Sequence, residues 1–299
     1  MASAYSGNFG SVFHKILGAI WQDESEKNEP VWKQYLEEKS TVKKYFDDVE
    51  LVSPGLWSET DEGADIDLDD YSQGVIVRYE PKKLAKRLII PEELEEDSQY
   101  PEIYDATRLL TQTCYQTQDY DAVQVLNDAF AGNIKTTGDT IAYCSASHVI
   151  RGGGTVSNIL SPALSISNSA VQAMLIAAEK MPGTNGFITP VKGTKLIGPT
   201  NLKWRAKEIL KSETKDDTAN RSINALRGDM SDYVGVPYMS STTNWFMKTN
   251  VMRGAMWFWR RKPRFRQSNV ETSETKQFTG SARWDKGVTN FRTFIGSQA

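Results

Sequence analysis

Three stretches decide how this chain is read: Asp119-Tyr-Asp-Ala-Val-Gln-Val-Leu-Asn-Asp-Ala-Phe130, then Ala142-Tyr-Cys-Ser-Ala-Ser-His148, then Arg151-Gly-Gly-Gly-Thr-Val-Ser-Asn158. The first is the second half of an amphipathic pattern over residues 101–131. Ile103, Ala106, Leu110 and Cys114, and later Ala122, Val125, Leu126, Ala129 and Phe130, recur at i, i+3 and i+4, the period of a helix with one buried face. Ser98 suits its N-cap, Pro101 its first turn, and Glu102 and Asp105 its positive end; Gly132-Asn133 supplies the stop. About 31 residues at 1.5 Å each span roughly 45 Å, enough to brace a domain. A long core helix of an α+β enzyme would show the same periodicity.

Upstream, residues 1–46 read as an arm: a short apolar helix over 12–21, a polar break over 23–30, and a second helix over 31–46 carrying Trp32, Tyr35, Leu36, Val42, Tyr45 and Phe46. Helices this short need a packing partner. Residues 47–92 read as a two-stranded excursion, Val49, Leu51 and Trp57 going out and Val75, Val77 and Tyr79 returning, with an acidic tip over 58–72. Such a ribbon is marginal alone and is expected to lean on a neighbour. Downstream, the pattern predicts a strand over 140–144, a helix over 168–181, and a strand over 194–197 ending on Gly198-Pro199. A helix over 202–210, a polar loop over 211–220, and aromatic strand segments over 243–259 and 278–294 follow.

With 299 residues the chain can bury a large core in one or two domains. A formal net charge of −3 argues against a global basic field for nucleic acid. Two cysteines, Cys114 and Cys144, make no disulfide framework and fit a reducing cytoplasm. No segment reaches the ~18 apolar residues of a membrane span. The apolar run over 12–21 is interrupted by His14 and Lys15 and is not read as a signal peptide. Charge is nevertheless segregated. Ten carboxylates and no Lys or Arg lie between Asp47 and Asp70, including Asp61, Glu62, Asp65, Asp67, Asp69 and Asp70. Between Tyr233 and Val270 there are Lys248, Arg253, Arg260, Arg261, Lys262, Arg264 and Arg266 and no acid. The blocks are either a solvated loop and a solvated face, or surfaces that meet between subunits.

Reactive constellations are few. Cys144 and His148 are four residues apart, but a strand-to-turn segment holds such a pair too far apart for a nucleophile and its base. Two Cys and one nearby His lack the paired spacing of a zinc site, so no metal is expected. Gly152-Gly153-Gly154 lacks the Gly-Lys-Ser/Thr sequel of a phosphate loop and is read as a tight turn. The acids over 61–70 lack the ligand order of a calcium loop. Trp257 and Trp259 beside the 260–266 cations could stack on single-stranded bases, a short and unspecific pattern. No enzyme signature and no cofactor site is found.

The quoted stretches, with the Leu196-Ile-Gly-Pro199 strand, the pieces at 220–226, Pro237 and Asn244-Trp-Phe246, and the closing strands, resemble in order and spacing the major capsid proteins of tailed phages, specifically the Mu-like major head subunit family. The likeness runs from residue 93 to the C-terminus; the first ninety residues match by layout. It implies an α+β, Hong Kong 97-type capsid fold: an N-terminal arm (1–46), an extended loop reaching over an adjacent subunit (47–92), a peripheral domain with a long spine helix (93–150 and 241–299), and an axial domain (151–240). It implies a non-enzymatic head protein that self-assembles as pentamers and hexamers into an icosahedral shell around double-stranded DNA, without sequence-specific binding and without a membrane. Portal, separate scaffold or protease, and decoration proteins are the implied partners, the virion is the implied location, and the host cytoplasm is where assembly is expected. Some relatives join a loop lysine to an asparagine; residues 47–74 contain no lysine, so no such crosslink is expected at the tip. A same-fold encapsulin-like compartment shell is the nearest alternative, and a soluble enzyme using Cys144 and His148 the alternative of another class.

Overall fold

The computed structural model describes residues 7–52, 54–63, 65–66, 68, 73–91, 100–132, 141–150, 153–214, 223–270 and 275–299. The expected cap Ser98, the stop residue Asn133, the start of the 140–144 strand, Arg151, Gly152, residues 215–220 of the polar loop, and Asp67, Asp69 and Asp70 lie outside these. The strands are β1 (Glu37–Ser40), β2 (Phe46–Leu51), β3 (Gln73–Tyr79), β4 (Lys82–Pro91), β5 (His148–Val149), β6 (Thr155–Val156), β7 (Gly193–Pro199), β8 (Asp232–Val236), β9 (Trp245–Thr249), β10 (Ala255–Val270), β11 (Thr275–Val288) and β12 (Phe294–Ser297). The helices are α1 (Gly7–Lys27), α2 (Tyr100–Asn127), α3 (Asn168–Glu179) and α4 (Lys203–Lys211).

The long helix forms where its periodicity places it. Ile103, Leu110, Ala122, Val125 and Leu126 are buried, and Gly132 turns the chain at φ +73°. Its buried face lies on a sheet of order β1-β10-β11-β4, whose core is a stack of indoles. Trp32 lies 4.6 Å from Trp257 and Trp257 5.4 Å from Trp284, both pairs nearly parallel. Burying indole N–H groups favours acceptors, and the helix end supplies them to Trp32 and Trp284, while the Nε1 atoms of Trp257 and Trp259 are buried without one. Gln118 Oε1 accepts from Trp32 Nε1 (3.3 Å), Asp119 from the Trp32 backbone N–H (3.1 Å), and Asp121 from Trp284 Nε1 (2.8 Å) and the Lys286 ammonium. The Asp-Tyr-Asp motif thus clamps helix, arm and hairpin together.

A second sheet, of order β12-β9-β7-β8, is buried on both faces. Phe246 and Ile197 face the indole core, while Trp245, Met247 and Leu196 face a second core shared with α3 and α4. Asn158 joins the two halves. Its buried amide nitrogen lies 2.6, 2.9 and 3.0 Å from the carbonyls of Tyr143, Phe291 and Phe294, and its oxygen accepts from the Ser145 N–H at 2.8 Å. Helix α3 starts as expected, with Ser167 Oγ accepting from the Ala170 N–H.

Four expectations are corrected. The 31–46 segment is not a helix: one 3-10 turn (Val31–Gln34) leads into β1, which pairs in parallel with the free edge of β10. That single turn already buries Trp32, Tyr35 and Leu36, so the edge of β10 offers more than further helix would. The preceding helix is longer than 12–21, because the Lys27–Asp23 pair and the Asn28 bonds to Glu24 carry it through the polar stretch. Residues 141–147 form no strand; Cys144 N–H bonds to the Ala129 carbonyl and Tyr143 O is taken by Asn158, so side-chain and turn bonds replace a ladder. The aromatic 243–259 run is two strands in different sheets. The chain reverses at Arg253, φ +57°, and at Gly254, where a Cβ would overlap the Thr293 side chain.

Candidate functional site

The extended ribbon pairs β2 with β3, Phe46 opposite Tyr79. Its base packs on the sheet: the Tyr79 and Phe46 rings lie 4.4 and 4.9 Å from Phe258. Polar ties hold the base. Buried Asp48 accepts from Thr289 Oγ1 (2.9 Å), which also bonds the Tyr79 hydroxyl (2.8 Å), and burial pushes that phenol up. Glu50 pairs with buried Arg292 (3.2 Å), whose Nε donates to the Pro182 carbonyl; Asn185 Nδ2 donates to the Pro54 carbonyl at 2.7 Å. These ties lead the ribbon past the Ala255 end of β10 toward the 181–190 segment. Beyond them lies the tip, where Asp61, Glu62 and Asp65 are exposed and, among the described residues, form no ion pair within the chain. Leu56, Trp57, Ile66 and Leu68 are exposed beside them, Trp57 at 98%.

The basic block is divided by the structure. Arg253 sits in the turn before β10, its N–H donating to Glu37 at 3.1 Å, and Lys262 pairs with Glu38 at 3.0 Å. Arg260 falls in the irregularity between Trp259 and Arg261 and has no register partner. Arg261, Arg264 and Arg266 stand opposite Arg283, Ser281 and Thr279. Their side of the sheet is the one turned from α2, because the intervening Phe265 stacks on Trp21 and Phe278 on the helix side. The β4 register adds Lys83 opposite Arg283 and Arg87 opposite Thr279. Six cations therefore share one face, with Asp285 the carboxylate at its ribbon end, accepting from the Glu80 N–H. Arg261 donates to Ser281 Oγ (3.0 Å), and burial, then repulsion from Arg264, Arg266 and Arg283, lowers its pKa. The Nε atoms of Arg261, Arg264 and Arg283 are buried without an acceptor.

Three of the five predicted arginines are thus assembled, Arg253 and Arg260 stand apart, and no described tip residue touches the block within the chain. Arg283, Lys83 and Arg87 were missed, since only strand register places them there. The other constellations are structural. Cys144 is buried, which raises its thiol pKa well above the ordinary value and keeps it protonated; His148 Nε2 lies 3.1 Å from the Tyr143 carbonyl and its ring stacks 4.0 Å from Phe291. Gly153 and Gly154, at φ +89° and +92°, turn the chain between β5 and β6. Among the described residues no group of three His, Cys, Asp or Glu could hold a metal, and no helix is long and apolar enough to cross a membrane.

A long helix braced across one sheet, a second sheet buried on both faces, and a projecting ribbon are the parts expected of a shell subunit, and comparison with known families agrees. A family model described as phage capsid protein matches residues 74–296. The chain belongs to this family. Among solved structures it is similar to the procapsid of bacteriophage JBD30 (TM-score 0.57, 11% identity, 99% of this chain and 76% of that one). It is also similar to the protein of Microbacterium phage Oxtober96 (0.53, 10%, 90% and 90%). A third likeness is to the holo-SrpI encapsulin complex from Synechococcus elongatus (0.52, 8%, 90% and 86%). At these identities the likenesses show the fold, the Hong Kong 97-type capsid fold. No curated protein matches the sequence.

Proposed function

We propose that the chain is the major head subunit of a tailed bacteriophage, self-assembling through pentamers and hexamers into an icosahedral shell around double-stranded DNA. The observation that carries this is the capsid-family match over residues 74–296, three quarters of the chain. In this reading residues 1–46 are the arm, 47–92 the extended loop, 93–150 with 241–299 the peripheral domain and 151–240 the axial domain. Heterologous contacts repeated about rotation axes close into rings, and ribbons that cannot cover their own apolar residues are stable only in such an assembly. The role is structural: the shell is part of the virion, built in the host cytoplasm with portal and scaffold or protease from other chains. Decoration proteins are further candidate partners, and with no lysine over 47–74 the tip carries no Lys–Asn crosslink.

Sedimentation velocity of the purified chain, with negative-stain images of each fast fraction, tests this. Shells, or discrete pentamers and hexamers, are expected; a monomer at every concentration, with or without a co-expressed scaffold, would refute it. The likeness to an encapsulin supports a second reading, a compartment shell, and a co-purifying enzyme in place of nucleic acid would select it.

A further inference from the structure

Strand register lays the cationic face out as a grid. Arg261, Arg283 and Lys83 stand opposite one another across β10, β11 and β4. Arg264, opposite Ser281, lies between that row and a second one, Arg266, Thr279 and Arg87. With strands about 4.8 Å apart and a rise of about 3.3 Å per residue, the six cations fall within a patch of roughly 10 by 13 Å. Like charges directly opposite in a sheet repel, and among the described residues no carboxylate pairs with any of the six. The acceptors they do have are neutral. Arg261 donates to Ser281 Oγ, Arg283 to the Pro81 carbonyl at 3.3 Å and Arg87 to Gln277 Oε1 at 2.9 Å. These bonds fix the guanidinium groups in place without cancelling their charge, which is what recognition of phosphate oxygens by a fork of donors requires.

The same face gives bases little to stack on. Trp257 and Trp259, which neighbour these cations in the sequence, are buried in the indole core on the side of α2. A surface three strands wide also does not enter a groove as a helix or a two-stranded ribbon does. Backbone contact remains. We propose that this face binds the phosphodiester backbone of double-stranded DNA without reading its sequence. Along one strand of a duplex a charge recurs about every 3.4 Å of axis, so a patch about 13 Å long meets roughly four phosphates of that strand. The net charge of −3 conceals the surface, because ten carboxylates are gathered between Asp47 and Asp70. This assignment rests on the shell reading and adds which surface of the subunit meets the enclosed DNA.

Fluorescence anisotropy of a labelled 30-base-pair duplex, titrated with the purified full chain over a series of salt concentrations, tests it. Two duplexes of unrelated sequence are expected to bind alike, with a slope of log affinity against log salt of about −4. Arg264→Gln with Arg266→Gln is expected to make that slope shallower by about 2, and its empty shells to form at wild-type yield. Lys82→Gln with Lys86→Gln, on the α2 side of the same sheet, is the control and should leave the slope unchanged. An unaltered slope in the arginine variant, or tighter binding of a single strand than of the duplex, would overturn the inference. So would displacement of the duplex by inorganic phosphate at constant ionic strength, which would make the face a site for the free ion. An arginine variant that folds yet forms no shells without DNA would assign the face to a protein neighbour and overturn it as well. All four outcomes leave the shell reading intact, whereas a wild type that binds duplex but forms no capsomer overturns the shell reading alone.

Discussion

Asn158 shows how much one side chain holds. One amide satisfies a backbone N–H and serves three carbonyls from two segments, all where water is excluded. Asn158→Ala leaves these groups unpaired, and the expected loss is about 2–3 kcal/mol, read as a lower urea midpoint with unchanged slope; an unaltered midpoint would mean that water replaces the amide. Asp119 behaves differently. Burial raises its carboxyl pKa, opposed by hydrogen bonds from the Trp32 and Val31 backbone. Because the folded state holds the proton more tightly than the unfolded chain, the wild type is at its best relative to Asp119→Asn below the unfolded value of about 3.9. That advantage declines as pH rises through the elevated native pKa, so urea midpoints should shift in the variant's favour between pH 4 and 7. A pH-independent difference would show that Asp119 ionises normally. Both residues stand in the stretches that carry the family resemblance, yet nothing in the sequence says that their work is to satisfy backbone N–H groups and carbonyls, because the partners come from segments up to 136 positions away.

At the scale of elements, the helix over 101–131 was legible because a long apolar stripe at helical spacing and a closing glycine leave few alternatives. The 31–46 segment was misread for the opposite reason. Its aromatics fit a helical face over one turn, and the deciding factor, the open edge of β10, lies more than two hundred residues away. Likewise the 243–259 run conceals its division because β9 is buried on both faces and shows no alternation. Trp32 is the plug that makes the non-helical course of the arm favourable, stacked on Trp257 and edge-on to Trp259. Trp32→Ala is expected to cost about 3–5 kcal/mol. Hydrogen exchange of the β1 amides should accelerate before that of α2. If β1 stayed as protected as the helix, its pairing with β10 would be independent of the plug.

For the whole molecule, the separation of an acidic tip from a basic block is visible in the sequence, but the composition of the cationic face is not. Register sets it, bringing Arg283, Lys83 and Arg87 beside Arg261, Arg264 and Arg266 and leaving Arg253 and Arg260 elsewhere. One chain thus carries a face of six cations and, among the described residues, a tip with four exposed large apolar residues, surfaces that the proposed assembly would cover. Trp57 reports that step. Trp32, Trp245, Trp257, Trp259 and Trp284 are already buried in the single chain, whereas Trp57 is almost wholly exposed. Assembly should therefore shift tryptophan emission to shorter wavelength and reduce its quenching by iodide, with most of the change lost in Trp57→Phe. Trp204, 70% exposed on α4, makes the control necessary. If Trp57→Phe shells retained the full change and Trp204→Phe shells lost it, the surface around α4 and not the ribbon tip would be the one covered on assembly.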